Sequence, residues 1–485
     1  MPIDYIKSRT ARLYKESTGG SRVLDLLWGD RVSTGQTSDG RRRTTARGQD
    51  GWVDTEDLGG SSLLEVYFID VGQGDGVLIR TPDHRHIMID GGYKRSKQPT
   101  GKNAADFVDW KFFKDYGGTT VDLDVVIASH CDADHYGGLW DLLNPLETHE
   151  LDTEAIVVGR FYHAGVSWWK KPGGVRWVGP KQGDFLTQLL GNRSTVRNGL
   201  LGTDGKELQG EWADFMQVVY DVGCPIDRLN HSFEWLPDFH PDDSDVAVRV
   251  LAPIEYDFGG SPAYKSLGGT DKNTNGHSVL LRLDYGRARI LLTGDLNKKA
   301  QQLLLEELVG ERQELACDVA KGCHHGADDV SIEFLQTMGP AATIISSGDN
   351  ESHAHPRPKI VAASGVTGHL TTKNDEILTP LVYSTEISRS VRIGTPKKFT
   401  LSGFQDANGN DLVESDLFKV KADYEVVTAG ALQPEKRDGL MAFRKVVDGV
   451  RYGLVNVRTD GNEILCATMN EKDSSWEYEV FESRF

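Results

Sequence analysis

Four candidate metal ligands fall within six residues of the stretch Ser129-His130-Cys131-Asp132-Ala133-Asp134-His135-Tyr136-Gly137-Gly138. Directly before it runs Val125-Val126-Ile127-Ala128, an apolar tetrapeptide that reads as a buried strand. A compact loop at a strand end aims alternate side chains at two adjacent cations. On that reading His130 and Asp132 serve one ion, and Asp134 and His135 serve the other.

Three further segments bring ligand-type residues to the ends of predicted strands. Asp90 ends Ile87-Met88-Ile89-Asp90-Gly91-Gly92, and Asp295 follows Ile290-Leu291-Leu292 in Thr293-Gly294-Asp295. His324 and His325 follow Lys321-Gly322-Cys323 and precede Gly326. Glycines beside these residues let the backbone approach closely. An aspartate that bridges two cations keeps them roughly 3.5–4 Å apart, the separation of two-metal hydrolysis. Other strand candidates are Leu63–Asp70, Val77–Ile79, Val246–Ile254, the hairpin pair Ser278–Leu283 and Ala288–Thr293, Asp318–Ala320 and Ala342–Ser346. Asn297–Val309 reads as a helix, with leucines at 303, 304, 305 and 308. Many strands with fewer helices between them predict a layered α/β sandwich.

At 485 residues the chain is long enough for roughly two to four domains. Hydrophobic content of 38% against 26% charged residues fits a soluble protein. No apolar run approaches the roughly 20 residues that span a bilayer, so no membrane partner is expected. The start Met1-Pro2-Ile3-Asp4-Tyr5-Ile6-Lys7 lacks the apolar core of a secretion signal. Five cysteines without a CxxC spacing argue against a disulfide framework, and a cytoplasmic location is expected. The net charge of −18 weighs against broad coating of nucleic acid, but not against one local basic groove.

Residues 1–60 read as a small antiparallel β module, 61–385 as the main domain, and 386–485 as a β-rich C-terminal module. Leu26-Leu27-Trp28-Gly29-Asp30-Arg31-Val32 and Gly48-Gln49-Asp50-Gly51-Trp52-Val53-Asp54 in the first resemble bacterial SH3-like barrels, which implies a protein partner. A weakly periodic insertion spans about 140–245. It holds a basic-aromatic island in which Arg160, Trp168, Trp169, Lys170, Lys171 and Arg176 are candidate substrate-binding residues for a phosphate backbone and stacked bases. The same island also reads as a lid whose aromatics pack on the core.

In order, the chain presents DVGQGD (Asp70–Asp75), IDGG, SHxDxDHxGG, Asn275 and Ser278 before a strand, LLTGD, KxxHHG and His355-Pro356. This series, over roughly 63–360, resembles the metallo-β-lactamase superfamily, and within it the soluble hydrolase domain of ComEC-type competence proteins. The resemblance implies an αββα sandwich with a dinuclear metal site at one edge. It implies two divalent ions, zinc or manganese with magnesium admissible, held by His130, Asp132, Asp134, His135, Asp295, His324 and His325. Asp134, His325, His355 and Lys321 are the implied catalytic groups, with His355 donating a proton to the leaving oxygen or binding phosphate. Asp70, Gln73, Asp75, Asp90, Asn275 and Ser278 are expected to orient ligands and fix histidine tautomers.

The chain departs from the family pattern where Asp132 replaces the second histidine, which favours harder cations. His277 is a candidate for the missing third-motif histidine, and Ala327 stands where the family has serine. The expected activity is nuclease or phosphodiesterase hydrolysis of nucleic acid by a cation-activated hydroxide, with an effector role in a larger assembly. The alternatives are a small phosphocholine-like phosphodiester, a lactone or thioester substrate, or a non-catalytic, metal-stabilised binding module. Asp271–Gly276 imitates the start of an EF-hand loop, but Arg282 sits where the closing glutamate belongs.

Overall fold

Alternation of apolar and polar residues builds an antiparallel module at the N-terminus of the computed structural model. Its strands are β1 (Ile3–Tyr5), β2 (Thr10–Tyr14), β3 (Arg22–Leu27), β4 (Arg31–Ser38), β5 (Arg41–Ala46) and β6 (Gln49–Asp54), in sheet order β1-β4-β5-β6-β2-β3. Period-two burial puts Leu13, Leu24, Leu26, Val32, Ala46 and Val53 into one small core. The structure describes residues 2–98, 101–171, 173, 176–348, 355–385, 392–394, 398–399, 405, 408–410, 415–416, 420–426, 435–440, 446–448, 453–470 and 475–485.

Two larger sheets follow. The first contains β7 (Leu64–Phe68), β8 (Val77–Arg80), β9 (His86–Ile89), β10 (Thr120–Ala128), β11 (Ala155–His163) and β12 (Ile226–Arg228). The second contains β13 (Val246–Ala252), β14 (Leu280–Tyr285), β15 (Ala288–Leu292), β16 (Val319–Lys321), β17 (Ala342–Ile345) and β18 (Leu381–Ser384), hydrogen-bonded in that order. Three late strands, β19 (Val455–Thr459), β20 (Glu463–Asn470) and β21 (Ser475–Glu482), complete the first sheet as β12-β11-β10-β9-β8-β7-β19-β20-β21. Apolar side chains of both sheets, among them Val66, Ile79, Val125, Val248, Ile290 and Ile344, form the central core.

Helices cover both outer faces, so the αββα layering expected from the sequence is present. On the first sheet lie α1 (Ala104–Trp110), α2 (Ala133–Leu143), α3 (Arg193–Leu201) and α4 (Gly210–Val222), whose apolar residues join Leu78, Met88 and Val126. After the short α5 (Thr270–Gly276), the second sheet is covered by α6 (Lys298–Glu307) and α7 (Ile332–Met338), which pack against Leu280 and Leu291. Asn297 caps α6 by accepting from the Ala300 amide, which starts this helix one residue after the expected start.

The domain division differs from the sequence reading at two places. Residues 155–163 and 226–228, within the expected insertion, are parallel strands of the first sheet. Residues 455–482 belong to that sheet as well, β19 pairing with β7, so they are not part of a separate C-terminal module. The chain divides into Met1–Ser388 with Tyr452–Phe485, and Arg389–Arg451. The described parts of the second unit include antiparallel ladders such as Lys421–Val426 with Glu435–Leu440. Among the described residues no helix is long and apolar enough to cross a membrane.

A buried ion cluster joins the N-terminal module to the first sheet. Asp30 lies 2.6 Å from Arg47 and 2.7 Å from Arg458 of β19, and Arg458 also donates to the carbonyl oxygens of Leu27 and Trp28. Leu27 and Trp28 pack on Leu63, Leu465 and Ala467 beside it. Burial works against the Asp30 carboxylate, but Arg458 and Arg47 hold it well below the usual range. Its stabilising contribution is therefore present above about pH 3.9 and is lost as pH falls below it. Replacing Arg458→Met strands a buried carboxylate with one partner, and urea unfolding should show a loss of about 3–5 kcal/mol. An unchanged unfolding midpoint would mean that this ion cluster does not hold the two parts together.

Candidate metal centre

The site forms where parallel strands of both sheets end. Asp90 and Ser129 follow β9 and β10, and Asp295, His324 and His325 follow β15 and β16. Carboxyl ends of parallel strands are the usual place for a binding crevice in open α/β sheets. Asp90 adopts a left-handed conformation (φ 56°) that turns its carboxylate back toward β10. It accepts from the Ser129 amide (2.7 Å), from the Ser129 hydroxyl (2.5 Å) and from His135 Nδ1 (2.8 Å). Two glycines permit the close packing. A Cβ on Gly138 would overlap the Gly91 carbonyl, and one on Gly74 would overlap the carbonyl of Asp134.

With its Nδ1–H given to Asp90, His135 presents Nε2 to Asp295 Oδ2 at 3.2 Å. His325 gives Nδ1–H to the Ser346 carbonyl (3.2 Å) and points Nε2 at the same Asp295 oxygen, 3.0 Å away, and at Asp134, 3.7 Å away. His130 Nδ1 faces the hydroxyls of Ser129 (3.1 Å) and Ser278 (3.3 Å), leaving Nε2 without a hydrogen-bond partner among the described residues. The Nε2 atoms of three imidazoles and two carboxylates thus converge, with the buried Lys321 ammonium 3.7 Å from Asp295 on the far side. Burial would lower His135, but Asp295 and Asp90 drive it well above the usual imidazole range. Burial likewise opposes His325, while Asp295 and Asp75 push it up to about 10. Burial holds His130 down to about 3, helped by the charge of His135. The centre calls for positive charge.

The donor set suits a divalent cation. His130 Nε2, His325 Nε2 and Asp295 Oδ1 are buried without a hydrogen-bond partner among the described residues. Ligand atoms of His130, His135 and Asp295 lie within 4.8 Å of one another, as do those of Asp134, His135 and His325. Those of Asp75, Asp295 and His325 do so as well. Imidazole nitrogens mixed with carboxylates fit zinc or manganese.

Other expected site residues are distributed differently. Asp132 stands outside these groupings, 3.7 Å from His130 Nε2, and its carboxylate accepts from Thr274. Loss of water contact and the neighbouring Asp134 carboxylate push Asp132 up to about 7. His324 lies 3.8 Å from Asp295, and its Nε2 accepts from the Asn275 side-chain amide. Of the histidine pair, His325 is the one packed into the cluster, and His324 faces the cavity. Lys321 is 2% exposed, 2.5 Å from Asp75 and donating to the Gly294 carbonyl, so it braces the acids from below and does not reach the cavity. Asp75 Oδ1 lies 3.3 Å from His325 Nδ1, the ring nitrogen opposite the Nε2 that faces the cluster. Gln73 donates to Asp134 (3.0 Å), Ser278 contacts His130, and Asp70 caps its own turn through the Gly72 amide. His277 bonds to the Lys265 carbonyl and stacks on Tyr264, away from the centre. Asp271–Gly276 is mainly helical, as α5, and is no calcium loop.

A cavity of about 660 Å3 opens over the cluster, bounded by Asp132, Asp134, Asp295, His324 and His355 on its floor. Its walls include Trp168, Arg176, Gln209, Glu211 and Trp212 from the expected insertion. Arg176 stacks 4.1 Å over Trp168, whose indole N–H donates to the Cys131 carbonyl. The other residues of the basic-aromatic island do not line this cavity. Arg160 faces Asp238 at 3.6 Å, Trp169 is buried in the core, Lys170 pairs with Glu207, and Lys171 lies 5.5 Å from the Trp177 ring. Strand pairing of Trp169 with Trp177 explains the inward turn of Trp169. Tyr93, Tyr136, Gln209, Glu211 and Trp212 were not picked out from sequence, although Tyr136 directly follows His135.

The metallo-β-lactamase superfamily model matches residues 69–210. ComE operon protein 3 of Bacillus subtilis (strain 168) is 26% identical over 315 residues, 62% of this chain and 30% of that protein. Competence protein ComA of Neisseria gonorrhoeae is 33% identical over 96 residues, 19% of this chain and 14% of that one. The aligned part is less than a third of the length of either curated relative. A solved structure of a protein of unknown function from Enterococcus faecalis V583 aligns with 57% of this chain and 56% of its own, at 12% identity and a TM-score of 0.25.

Calorimetric titration with manganese or zinc should separate the groups. His135→Ala and Asp295→Asn should weaken binding beyond the roughly 10–100-fold loss typical of outer partners, and Asp90→Asn should fall within that range. Asp132→Asn should change affinity by less than about tenfold, since it lies outside the groupings. Equal losses at Asp132 and Asp295 would contradict this arrangement.

Without metal, the raised His325 contributes stability that is complete below about pH 6.5 and is lost as pH rises through about 10, and His135, raised by Asp295 and Asp90, acts in the same direction. The melting temperature of metal-free protein should therefore fall over that range, and Asp295→Asn should flatten the fall. A flat profile in the parent protein would contradict the charge balance described.

Proposed function

We infer that this chain, which carries a metallo-β-lactamase superfamily domain, is a metal-dependent phosphodiesterase acting on nucleic acid. The observation that carries this reading is the convergence of His130, His135 and His325 Nε2 with Asp134 and Asp295 beneath an open cavity. Similarity to competence proteins supports a nucleic-acid substrate.

Divalent cations held by these residues supply Lewis acidity and a nucleophile at neutral pH. The chain's own groups do the rest. Asp90, Ser129, Ser278 and the Ser346 carbonyl hold each imidazole so that Nε2 faces the centre. Asp132, Asp134, Glu211, Asp271 and Asp295 line the cavity against the single guanidinium of Arg176. That excess of carboxylates repels a phosphodiester until cations neutralise it, so activity depends strictly on metal. Arg176, 4.1 Å over the Trp168 ring, is the cavity-lining cation that would meet a phosphate. His324 and His355 border the cavity and are placed to pass a proton to the leaving oxygen.

The bounded volume of about 660 Å3 also suits a small organic phosphodiester, which is the second reading. The N-terminal module, read as SH3-like, is proposed to bind a protein partner through the surface it does not bury on the first sheet.

Purified protein should be incubated with manganese or zinc and single-stranded, duplex or circular DNA, with bis-nitrophenyl phosphate alongside. Cleavage of at least one DNA that is lost in Asp134→Ala is expected. Hydrolysis of the small ester alone favours the second reading. Cleavage that persists in Asp134→Ala, or no hydrolysis with either metal, would falsify the assignment.

A further inference from the structure

A second cavity, of about 170 Å3, lies on the outer face of the first sheet, and it shares no lining residue with the cavity over the metal-ligand cluster. Tyr67 of β7 and Asn456 of β19 are paired across the ladder and, with Arg458, line its base. Phe107, Trp110 and Lys111 line one side, and Arg47, Met469 and Trp476 another. It therefore sits at the junction of the N-terminal module, α1 and the late strands.

Three observations point to an occupant. First, Asn456 is fully buried, yet neither its amide nitrogen nor its amide oxygen has a hydrogen-bond partner among the described residues. A desolvated amide with no bond made is unfavourable in the empty fold and needs an explanation. Second, among the described residues the lining cations Arg47, Lys111 and Arg458, with Arg80 behind them, are paired with three carboxylates, Asp30, Glu65 and Asp115. One positive charge of this patch thus lacks a carboxylate of its own. Third, aromatic rings dominate the walls, and Arg47 stacks 5.1 Å over Trp476.

We propose that this cavity binds a small planar heterocyclic anion of the mononucleotide class. The ring stacks among the aromatic walls, as bases do on protein aromatics. The Asn456 amide offers one donor and one acceptor side by side, the pattern that pairs with the edge of a base. The surplus positive charge receives the phosphate, with Arg47 the least buried of the cations named. The space of about 170 Å3 suits a single ring system, with the sugar and phosphate toward its mouth, and is too small for an oligonucleotide. The proposal does not depend on the catalytic reading, because it uses no residue of the metal-ligand cluster.

The test is a tryptophan-fluorescence titration of the full chain, without divalent metal, using adenosine, guanosine, cytidine and uridine monophosphates. The parent nucleosides, ribose 5-phosphate and a short single-stranded oligonucleotide serve as comparison probes. At least one monophosphate should saturate, with its nucleoside and ribose 5-phosphate each binding at least tenfold more weakly. Asn456→Leu should weaken that binding at least tenfold and raise the melting temperature of the unliganded protein, because the orphaned amide is gone. Trp476→Ala should also weaken it at least tenfold, which keeps the test decisive if Asn456→Leu does not fold. Asp134→Ala should bind as the parent does. The proposal is overturned if no monophosphate saturates at millimolar concentration, if only the oligonucleotide binds, or if both pocket variants bind like the parent. It is equally overturned if Asp134→Ala abolishes binding, which would place the nucleotide in the other cavity.

Discussion

Everything at the centre of this molecule depends on one carboxylate, Asp295, onto which the Nε2 atoms of His135 and His325 converge at 3.2 and 3.0 Å. Such a focus is unstable unless protons or a cation lie between the groups. The protein has fixed the outcome by occupying the other side of each ring. Asp90 takes the Nδ1 proton of His135, the Ser346 carbonyl takes that of His325, and two serine hydroxyls face Nδ1 of His130. The lone pairs have nowhere else to point. A buried lysine, Lys321, steadies the acids from beneath through Asp75, so the cluster is braced before any ion arrives.

The sandwich exists around this focus as two sheets whose parallel strand ends meet. One sheet contributes Asp90 and the loop that carries His130, Asp134 and His135, and the other contributes Asp295 and the His324–His325 turn. Both histidines of that turn hold left-handed backbone angles, φ 48° and 52°. Strain of this kind persists where surrounding contacts over-determine it, as at many functional sites. The ionic junction at Asp30 and Arg458 ties the N-terminal module to the same sheet, and it also creates the second cavity. The regions that bear ligands are thus carried on one framework.

Much of this was legible in the sequence. Apolar runs ending in Asp90, Asp295 and His324–His325 announced strand ends and a layered α/β sandwich, and its αββα form was what the family resemblance implied. The division of ligands between ions was harder to read. Alternate residues share a side only in extended chain, but α2 begins at Ala133, so Asp134 and His135 lie on a helical turn while Asp132 precedes it. Asp132 was expected to share an ion with His130, and its carboxylate lies 3.7 Å from His130 Nε2 while accepting from Thr274. Lys321 was expected among the catalytic groups, and as the last residue of a buried strand it faces the acids from within. In the insertion, composition marked six nearby positions alike, whereas the fold sends Trp169 to the core and leaves Trp168 and Arg176 at the cavity. The junction was not legible, because Asp30 and Arg458 are remote in sequence and only Asp30 stands in a motif, one that says nothing of its partner.

The most direct measurement is anomalous diffraction from crystals grown or soaked with manganese. The account predicts density within about 2–2.3 Å of the Nε2 atoms of His130, His135 or His325 and of an Asp295 oxygen. Density confined to the Asp132 and Asp271 rim, or none near Asp295 at saturating metal, would contradict it.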